Sequence, residues 1–400
     1  MNPDPPRQFS KTDLWAVSAS TAIVMLGQGM IAPVLPLYAE SFGVDLAAVG
    51  IALAAFALAR LVLNIPLGAA ADRWGRRPLL MGGPAVVAAG MVGSALAPGI
   101  GALIAWRFVA GAGSAMYMTA ALVYLTDIAP PVNRARYIAV NQAALRLGVT
   151  IGPVVGGLIA EQFGFRAPFF LVAALATLAA VHGWARLQET RPTSRVPARG
   201  QNWRPLIRSK PFVAVAFVSL AVFFTRGTIQ FTLIPLQGAN DYQLSSGQIG
   251  LILSGIAGTG LALLGPAAWL ADRFGRRAAI IPSLFGTGMA LVLFATADST
   301  GSFLVASGAL ALAVSISGPA AAAFTADIAP PALRGRAFGI YRSAGDLGLL
   351  IGPPLLGAVA DAGGFPPAYL INGAVVAAVA IGFAVWGRPP TADHSPGESA

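Results

Sequence analysis

The chain has 400 residues, 56% hydrophobic and only 10% charged, whereas soluble globular domains carry about 25% charged residues. A chain this apolar has too little polar surface to face water on every side, so its composition predicts a polytopic membrane protein. The net charge of +10 would suit a nucleic-acid partner, but the positions of the basic residues argue against one, and the lack of cysteine excludes disulfides and thiol chemistry.

Twelve apolar segments follow one another along the chain, and a hydrocarbon core about 30 Å thick needs roughly 20 residues of helix. The predicted spans are residues 14–38, 46–70, 78–97, 101–126, 137–160, 166–187, 211–236, 247–271, 278–297, 302–327, 337–360 and 366–387. The first is too long for a signal-peptide core and lacks a convincing cleavage site, so we expect it to remain as a helix. A polar segment divides the chain six plus six. The resulting regions are an N-terminal tail (1–13), a first bundle (14–187), a central loop (188–210), a second bundle (211–387) and a C-terminal tail (388–400).

The charged residues of the loops segregate by side. Arginines fill the loops after the second, fourth, eighth and tenth spans and the central loop. The opposite loops carry Glu40, Asp45, Glu161, Asp241, Asp298 and Asp361 against Arg166 alone. The positive-inside rule therefore places both termini and the central loop in the cytoplasm, with the protein in the inner (plasma) membrane. The basic excess is a topology signal, and we expect no nucleic-acid partner.

Motifs recur at a constant offset of 200 residues. Residues 72–77 return at 272–277, and residues 127–131 return at 327–331. Gly148, Gly152 and Pro153 return as Gly348, Gly352 and Pro353. Chance does not give several registered matches without a net insertion, so the chain is a duplicated membrane unit. The predicted fold is an all-α membrane protein with twelve transmembrane helices in two pseudo-symmetric six-helix bundles.

The loop after the second span carries the strongest motif. It consists of Gly68, Asp72, Arg73, Gly75, Arg76 and Arg77, and its second copy is Asp272, Arg273, Gly275, Arg276 and Arg277, with Ala268 in place of the glycine. Over about residues 13–387 the sequence resembles the major facilitator superfamily, and this motif resembles that family's cytoplasmic loop.

The resemblance implies a gate at the cytoplasmic side. Asp72 would accept hydrogen bonds from the N-terminal end of a helix near Arg336 and so close that side in the outward-facing state. Other gate candidates are Asp127, Arg136 and Asp327. The alternative interpretation, that the arginines only anchor the topology, stays open.

Two further motifs lie inside spans. Arg107-x-x-x-Gly111-x-Gly113 resembles the family's fourth-helix motif, whose arginine is linked to proton coupling; snorkelling to the nearby outer surface is the alternative. The set Gly148, Gly152, Pro153, Gly156 and Gly157 resembles the signature of the antiporter branch. Its physical content is close packing and a proline kink, and ordinary packing is the alternative interpretation.

Few charges lie well inside the spans: Arg60, Arg107, Arg146, Arg226 and Arg342, with Asp346 as the one deep acid. Such residues are functional candidates. Asp346 can pair with Arg342 four residues away on its own helix, or with Arg60 at nearly the same predicted depth in the other half. As a hypothesis, the second pair gates the transporter or transmits proton coupling.

The central cavity is predicted to be positive. Drug-cation antiporters of the family often carry an acid in the first helix, but residues 26–30 contain none. The expected lining is Gln28, Met30, Arg107, Tyr117, Arg226, Gln230 and Phe231. A positive cavity of low dielectric favours anions or neutral molecules over cations.

These patterns predict a secondary transporter working by alternating access, with proton-coupled export of a small amphipathic neutral or anionic compound as the leading function and multidrug resistance as its setting. The expected partners are the substrate, protons and membrane lipid, with the chain a monomer. Uptake or uniport of an organic anion is the alternative, and a non-transporting sensor a remote one. The two histidines, His182 and His394, have no visible catalytic partner, so neither an enzyme, a metal site nor a cofactor is predicted.

Overall fold

A computed structural model describes residues 11–129, 133–187, 189–190, 204–330 and 333–388. Its α-helices are α1 (Lys11–Ile31), α2 (Leu35–Glu40), α3 (Leu46–Trp74), α4 (Arg77–Ala95), α5 (Ile100–Ile128), α6 (Arg134–Phe163), α7 (Ala167–Arg186), α8 (Arg204–Arg208), α9 (Lys210–Thr225), α10 (Ile234–Asn240), α11 (Ser246–Ala262), α12 (Leu264–Phe274), α13 (Arg276–Ala295), α14 (Thr300–Ile328), α15 (Arg334–Gly363) and α16 (Phe365–Trp386). A π-helical segment, Arg226–Leu233, joins α9 to α10.

The helices are the only way for this sequence to keep its backbone hydrogen-bonded inside lipid, where water cannot replace a missing partner. Eleven helices of the described chain are long and apolar enough to span a membrane, and α11 with α12 forms a twelfth span bent by 47°. The predicted all-α fold is therefore confirmed, with the eighth predicted span divided by a bend. The predicted central loop contains the short helix α8 next to α9.

The two halves carry an interruption in corresponding helices. The first span breaks between Ile31 and Leu35, and the seventh widens into the π-helical segment. Because the two spans are equivalent in the repeat, both interruptions lie at similar depth. Broken or widened helices in membrane proteins lie where they line a cavity or are packed against protein, so these segments mark a candidate site.

Carboxylates join the halves at one end of the bundle, which we call the acidic face because it carries Glu40, Asp45, Glu161, Asp241, Asp298 and Asp361. Asp361, at the end of α15, accepts hydrogen bonds from the backbone N–H groups of Leu46 (2.9 Å) and Ala47 (3.0 Å) at the start of α3. At the position related by the repeat, Glu161 accepts a hydrogen bond from Ser245 Oγ (3.1 Å), the N-cap of α11. Each half thus places an acid on a helix N-terminus of the other half.

The halves stay in contact from the acidic face to the middle of the bundle. A side chain on Gly50 of α3 would overlap the backbone of Pro353 on α15, so only glycine permits this approach. The backbone N–H of Val154 donates to Ser254 Oγ at 3.0 Å. Toward the opposite end, which we call the basic face, a Cβ built at Gly68 or Gly339 meets no atom of the described residues within 4 Å. Within the described residues the halves are therefore joined from the acidic face to the middle of the bundle and are separated around Gly68 and Gly339 toward the basic face. We call the space between the halves the cleft.

We predict that the two acids hold the acidic face closed. Removing both, in the variant Glu161→Ala/Asp361→Ala, removes two helix caps worth about 1 kcal/mol each, which is roughly a thirtyfold change in the ratio of closed to open forms. Because the chain has no cysteine, spin labels on Ser41→Cys and Asp241→Cys report that opening by electron–electron distance measurement. The variant should populate longer distances.

The control is Asp298→Ala, which removes an acid of the same face that bonds within its own half, to Ser302. It should leave the distance distribution unchanged. An unchanged distribution in the double variant as well would show that these carboxylates do not hold the halves together.

Candidate functional site

One ion pair crosses the middle of the bundle. Arg60 Nη2 on α3 lies 3.0 Å from Asp346 Oδ1 on α15, and the two side chains are 19% and 3% exposed. Asn64, one turn along α3, donates to Asp346 Oδ2 at 3.4 Å. Of the two partners considered for Asp346, the structure places Arg60 within ion-pair distance and leaves Arg342 exposed. The pair ties the two halves at the depth where the cleft ends.

Four arginines surround this point, two from each half. We call them the arginine cluster; its members are Arg60 (α3), Arg146 (α6), Arg226 (π-helical segment) and Arg342 (α15). Arg226 experiences repulsion from Arg146 and Arg60, and Arg342 experiences it from Arg60. Asp346 is the acid ion-paired within the cluster in the described chain, so the group holds an excess of positive charge.

Arg226 is the least satisfied member of the cluster. Its guanidinium lies 5.4 Å from the centre of the Phe231 ring, and its Nε is buried with no hydrogen-bond partner among the described residues. Gln230 and Phe231 are half-buried beside it. The wide π-helical turn carries all three residues, and such turns are frequent at functional sites. A buried donor without an acceptor is costly, so this position favours a ligand that accepts hydrogen bonds.

Three of the residues predicted to line the cavity are packed inside the first half in this structure. Met30 is fully buried against α6, and Tyr117 is buried with its hydroxyl donating to the Val17 carbonyl (3.0 Å) inside the first half. Arg107 is 7% exposed with its guanidinium 4.9 Å from the Phe56 ring centre, so it neither lines the cleft nor snorkels to the surface. The side chains of Met30, Tyr117 and Arg107 therefore pack between helices of the first half and do not line the cleft.

Gln28 is half-buried and donates from Nε2 to Ser114 Oγ at 2.9 Å, which links α1 to α5. Of the predicted lining residues, Arg226, Gln230 and Phe231 therefore lie together beside the arginine cluster, and Gln28 lies on the other half.

The glycines of the fifth-span motif are packing positions. A side chain on Gly148, Gly152 or Gly156 would overlap the backbone of α1, and one on Gly157 would overlap Ser246 of the other half. Pro153 lies inside α6 next to these contacts. The motif therefore lets α6 approach one helix of its own half and one of the other half, as close packing requires.

The loop after the second span is held by a buried arginine. Arg76 is fully buried, with Nε 3.0 Å from Asp127 Oδ2 and Nη1 donating to the Ala71 carbonyl at 3.0 Å. Gly75 has φ +99°, a conformation that side chains rarely adopt. The Glu189 carboxylate occupies the space a side chain on Gly75 would need and accepts from the backbone N–H of Arg76 at 2.8 Å.

The remaining arginines of the first loop differ in their contacts. Arg77 also donates its backbone N–H to Glu189 (3.2 Å) and caps the Trp184 carbonyl (2.9 Å), whereas Arg73 is exposed. The side chain of Asp72 lies outside the described part of the structure. The predicted partners on the same face, Arg136 and Arg336, are exposed.

The second loop repeats the arrangement in a more exposed form. Arg276 pairs with Asp272 and, at 3.1 Å, with Asp327, and Arg277 caps the Ala384 carbonyl. Gly275 again has positive φ, at +89°. Arg273 lies 5.8 Å from the ring centre of Trp269. The equivalent of Glu189 would fall in the C-terminal tail, outside the described residues.

Sequence reasoning missed three contributors. The sequence prediction places Glu189 in the polar central loop, although its position about one turn after α7 is a usable signal. Asn64 is an amide inside an apolar span, four residues from Arg60 on the same helical face, and that spacing could have identified it. No pattern in the local sequence predicts the π-helical segment.

Two related six-helix halves that meet at one face, enclose charged side chains and separate toward the other face are the architecture of a secondary transporter working by alternating access. The chain belongs to the Major Facilitator Superfamily, whose sequence model matches residues 17–237 and again 215–400. The family and the fold are those of integral membrane transporters and not of enzymes.

Individual relatives agree with this assignment. The chain is 25% identical over 357 residues to the uncharacterized MFS-type transporter MJ1560 of Methanocaldococcus jannaschii, which covers 87% of this chain and 91% of that protein. It is 26% identical over 367 residues to the quinolone resistance protein NorA of Staphylococcus aureus, covering 90% and 92%. A bacterial homologue of the human lysosomal transporter Spinster, solved in an inward-facing and unoccupied conformation, superposes with TM-score 0.79 at 17% identity over 95% of this chain and 96% of that one.

The two loop arginines make a matched pair for a stability test. Arg76 is fully buried and its partner Asp127 is 17% exposed, whereas Arg276 is 27% exposed and its partners are more than half exposed. Arg76→Gln leaves a carboxylate without its buried partner and should cost about 3 kcal/mol. Arg276→Gln should cost at most about 1 kcal/mol, because exposed pairs contribute little.

Thermal unfolding in one detergent measures both variants. A clearly lower Tm for Arg76→Gln than for Arg276→Gln is expected. Equal shifts would mean that burial does not distinguish the two loops.

Proposed function

We propose that the chain exports small amphipathic organic anions by alternating access. The arginine cluster carries this proposal: four guanidinium groups and one ion-paired carboxylate lie where the cleft ends. Side chains of one sign at the bottom of a low-dielectric cleft concentrate ligands of the opposite sign. Guanidinium groups also match carboxylate, sulfonate and phosphate head groups in geometry.

The apolar part of the substrate would lie against the second half. Phe231 is half-buried beside Arg226, and Leu220 is a half-buried side chain of α9. A few polar groups among apolar side chains is the usual composition of a site for a drug-sized ligand. An amphipathic anion fits it better than a small inorganic one.

The direction rests on orientation and on relatives. The positive-inside rule puts the basic face in the cytoplasm of the plasma membrane, which makes the described state inward-open and ready to load from the cytoplasm. The fifth-span motif and the likeness to NorA support export. A membrane potential negative inside favours the exit of an anion by about 2.3 kcal/mol per charge and 100 mV.

Two finer features stay predictions from the sequence. The gate formed by Gly68 and Asp72 would close the basic face in the outward-facing state, and the wide separation around Gly68 fits a gate that is open here. Proton coupling would use Asp346, the deep acid of the second half. We expect the transporter to act as a monomer, since each chain holds both halves and the whole cluster.

The test is growth inhibition in a bacterial host without its own efflux pumps, using matched anionic, neutral and cationic toxic amphiphiles. The chain should protect against anionic compounds. Arg226→Gln removes a charge-assisted contact worth about 1.5–3 kcal/mol and should lower that protection by about tenfold or more. Arg208→Gln, an exposed arginine of α8, is the matched control and should protect like the native chain.

Protection against cationic compounds alone would overturn the proposal. Accumulation of the anionic compounds inside the cells, with confirmed membrane expression, would show that the chain is an importer.

A further inference from the structure

The two partners of the central ion pair differ in access. The Arg60 side chain is 19% exposed, whereas that of Asp346 is 3% exposed and also accepts a hydrogen bond from Asn64. A solute that enters the cleft can therefore reach the guanidinium of Arg60 before it reaches the carboxylate. The Asp346 carboxylate already occupies the position beside the Arg60 guanidinium that the anionic head group of a substrate would take.

A bound anion and Asp346 would then share one cation. Two negative groups on one guanidinium repel each other, so binding of the anion favours departure of the carboxylate. A buried carboxylate without a counter-charge is costly, so it needs another cation or a proton.

Arg342 is placed to supply that cation. It lies four residues before Asp346 on α15, a spacing that brings two side chains to one helical face. It is exposed, and it already attracts the Asp346 carboxylate through space. A change of side-chain rotamers would bring the two groups together, with no movement of the backbone.

On the basis of the proposed function, we infer that the substrate anion displaces the Asp346 carboxylate from Arg60, and that Asp346 then pairs with Arg342. The bridge between the halves is thereby replaced by a pair within α15, which frees α3 from α15 at the middle of the bundle. Asp346 competes with the solute for Arg60, so only a solute able to replace a carboxylate can bind there. Arg342 is a positioning residue that receives the displaced group.

A double-mutant cycle on anion binding tests the exchange. The probe is naphthalene-1-sulfonate, titrated calorimetrically into the full chain in lipid nanodiscs, with empty nanodiscs as the reference and neutral naphthalene-1-sulfonamide as the matched compound. Asp346→Asn removes the competitor and should tighten sulfonate binding by about tenfold. Arg342→Gln removes the receiving cation and should weaken it by about tenfold.

The decisive variant is the double one. Once Asp346 is neutral there is no displaced charge to receive, so Arg342→Gln in the Asp346→Asn background should change binding by less than about twofold. Asp241→Asn, at the acidic face, is the control for Asp346→Asn and should bind like the native chain. Binding of naphthalene-1-sulfonamide should be the same in every variant.

The outcomes separate this inference from the proposed function. A native chain that binds the sulfonate no better than the sulfonamide contradicts anion transport itself. A native chain that prefers the sulfonate, with unchanged or weaker binding in Asp346→Asn, overturns only the exchange. The exchange alone is also overturned if Arg342→Gln weakens binding as much in the Asp346→Asn background as in the native chain. It is likewise overturned if one proton is taken up per bound anion, which a pH indicator in weak buffer would detect.

Discussion

The cost of holding charge away from water organises this molecule. Asp346 is almost completely buried, so it needs a cation, and its ion-pair partner comes from the other half of the chain. Arg226 experiences repulsion from Arg146 and Arg60, and Arg342 experiences repulsion from Arg60. Charge that the protein leaves unmatched is available to a ligand, and this connects the stability of the bundle to its transport activity.

The closed end relies on a different interaction. There the charges are exposed, and Asp361 and Glu161 each contact the N-terminus of a helix from the opposite half. Such contacts are individually weak, so separating the halves at this face would cost little free energy. In the described part of the chain, the middle of the bundle therefore holds one buried ion pair between the halves, and the acidic face holds small, repeated contacts between carboxylates and helix N-termini.

The fold was predictable because hydropathy, the duplication and the loop charges all report on the same twelve spans. The pairing of Arg60 with Asp346 was also within reach, because counting residues from the loops gives the depth of each side chain. The rotation of each helix about its own axis was not predictable. The fourth span is apolar on every side, so nothing in its pattern shows that Arg107 and Tyr117 turn toward their own bundle. Likewise the contact between Glu189 and the loop at Gly75 depends on where the linker folds back.

The duplication also shows where the two halves have stopped being equivalent. The offset of 200 residues relates the Arg60–Asp346 contact to a second position in the interface, where Gly260 and Arg146 stand. Identical halves would have two bridges, one on each side of the pseudo-twofold axis. This chain keeps one bridge and carries a lone arginine at the place of the other. One flank of the interface is therefore fastened by an ion pair, whereas the related flank carries an arginine opposite a glycine.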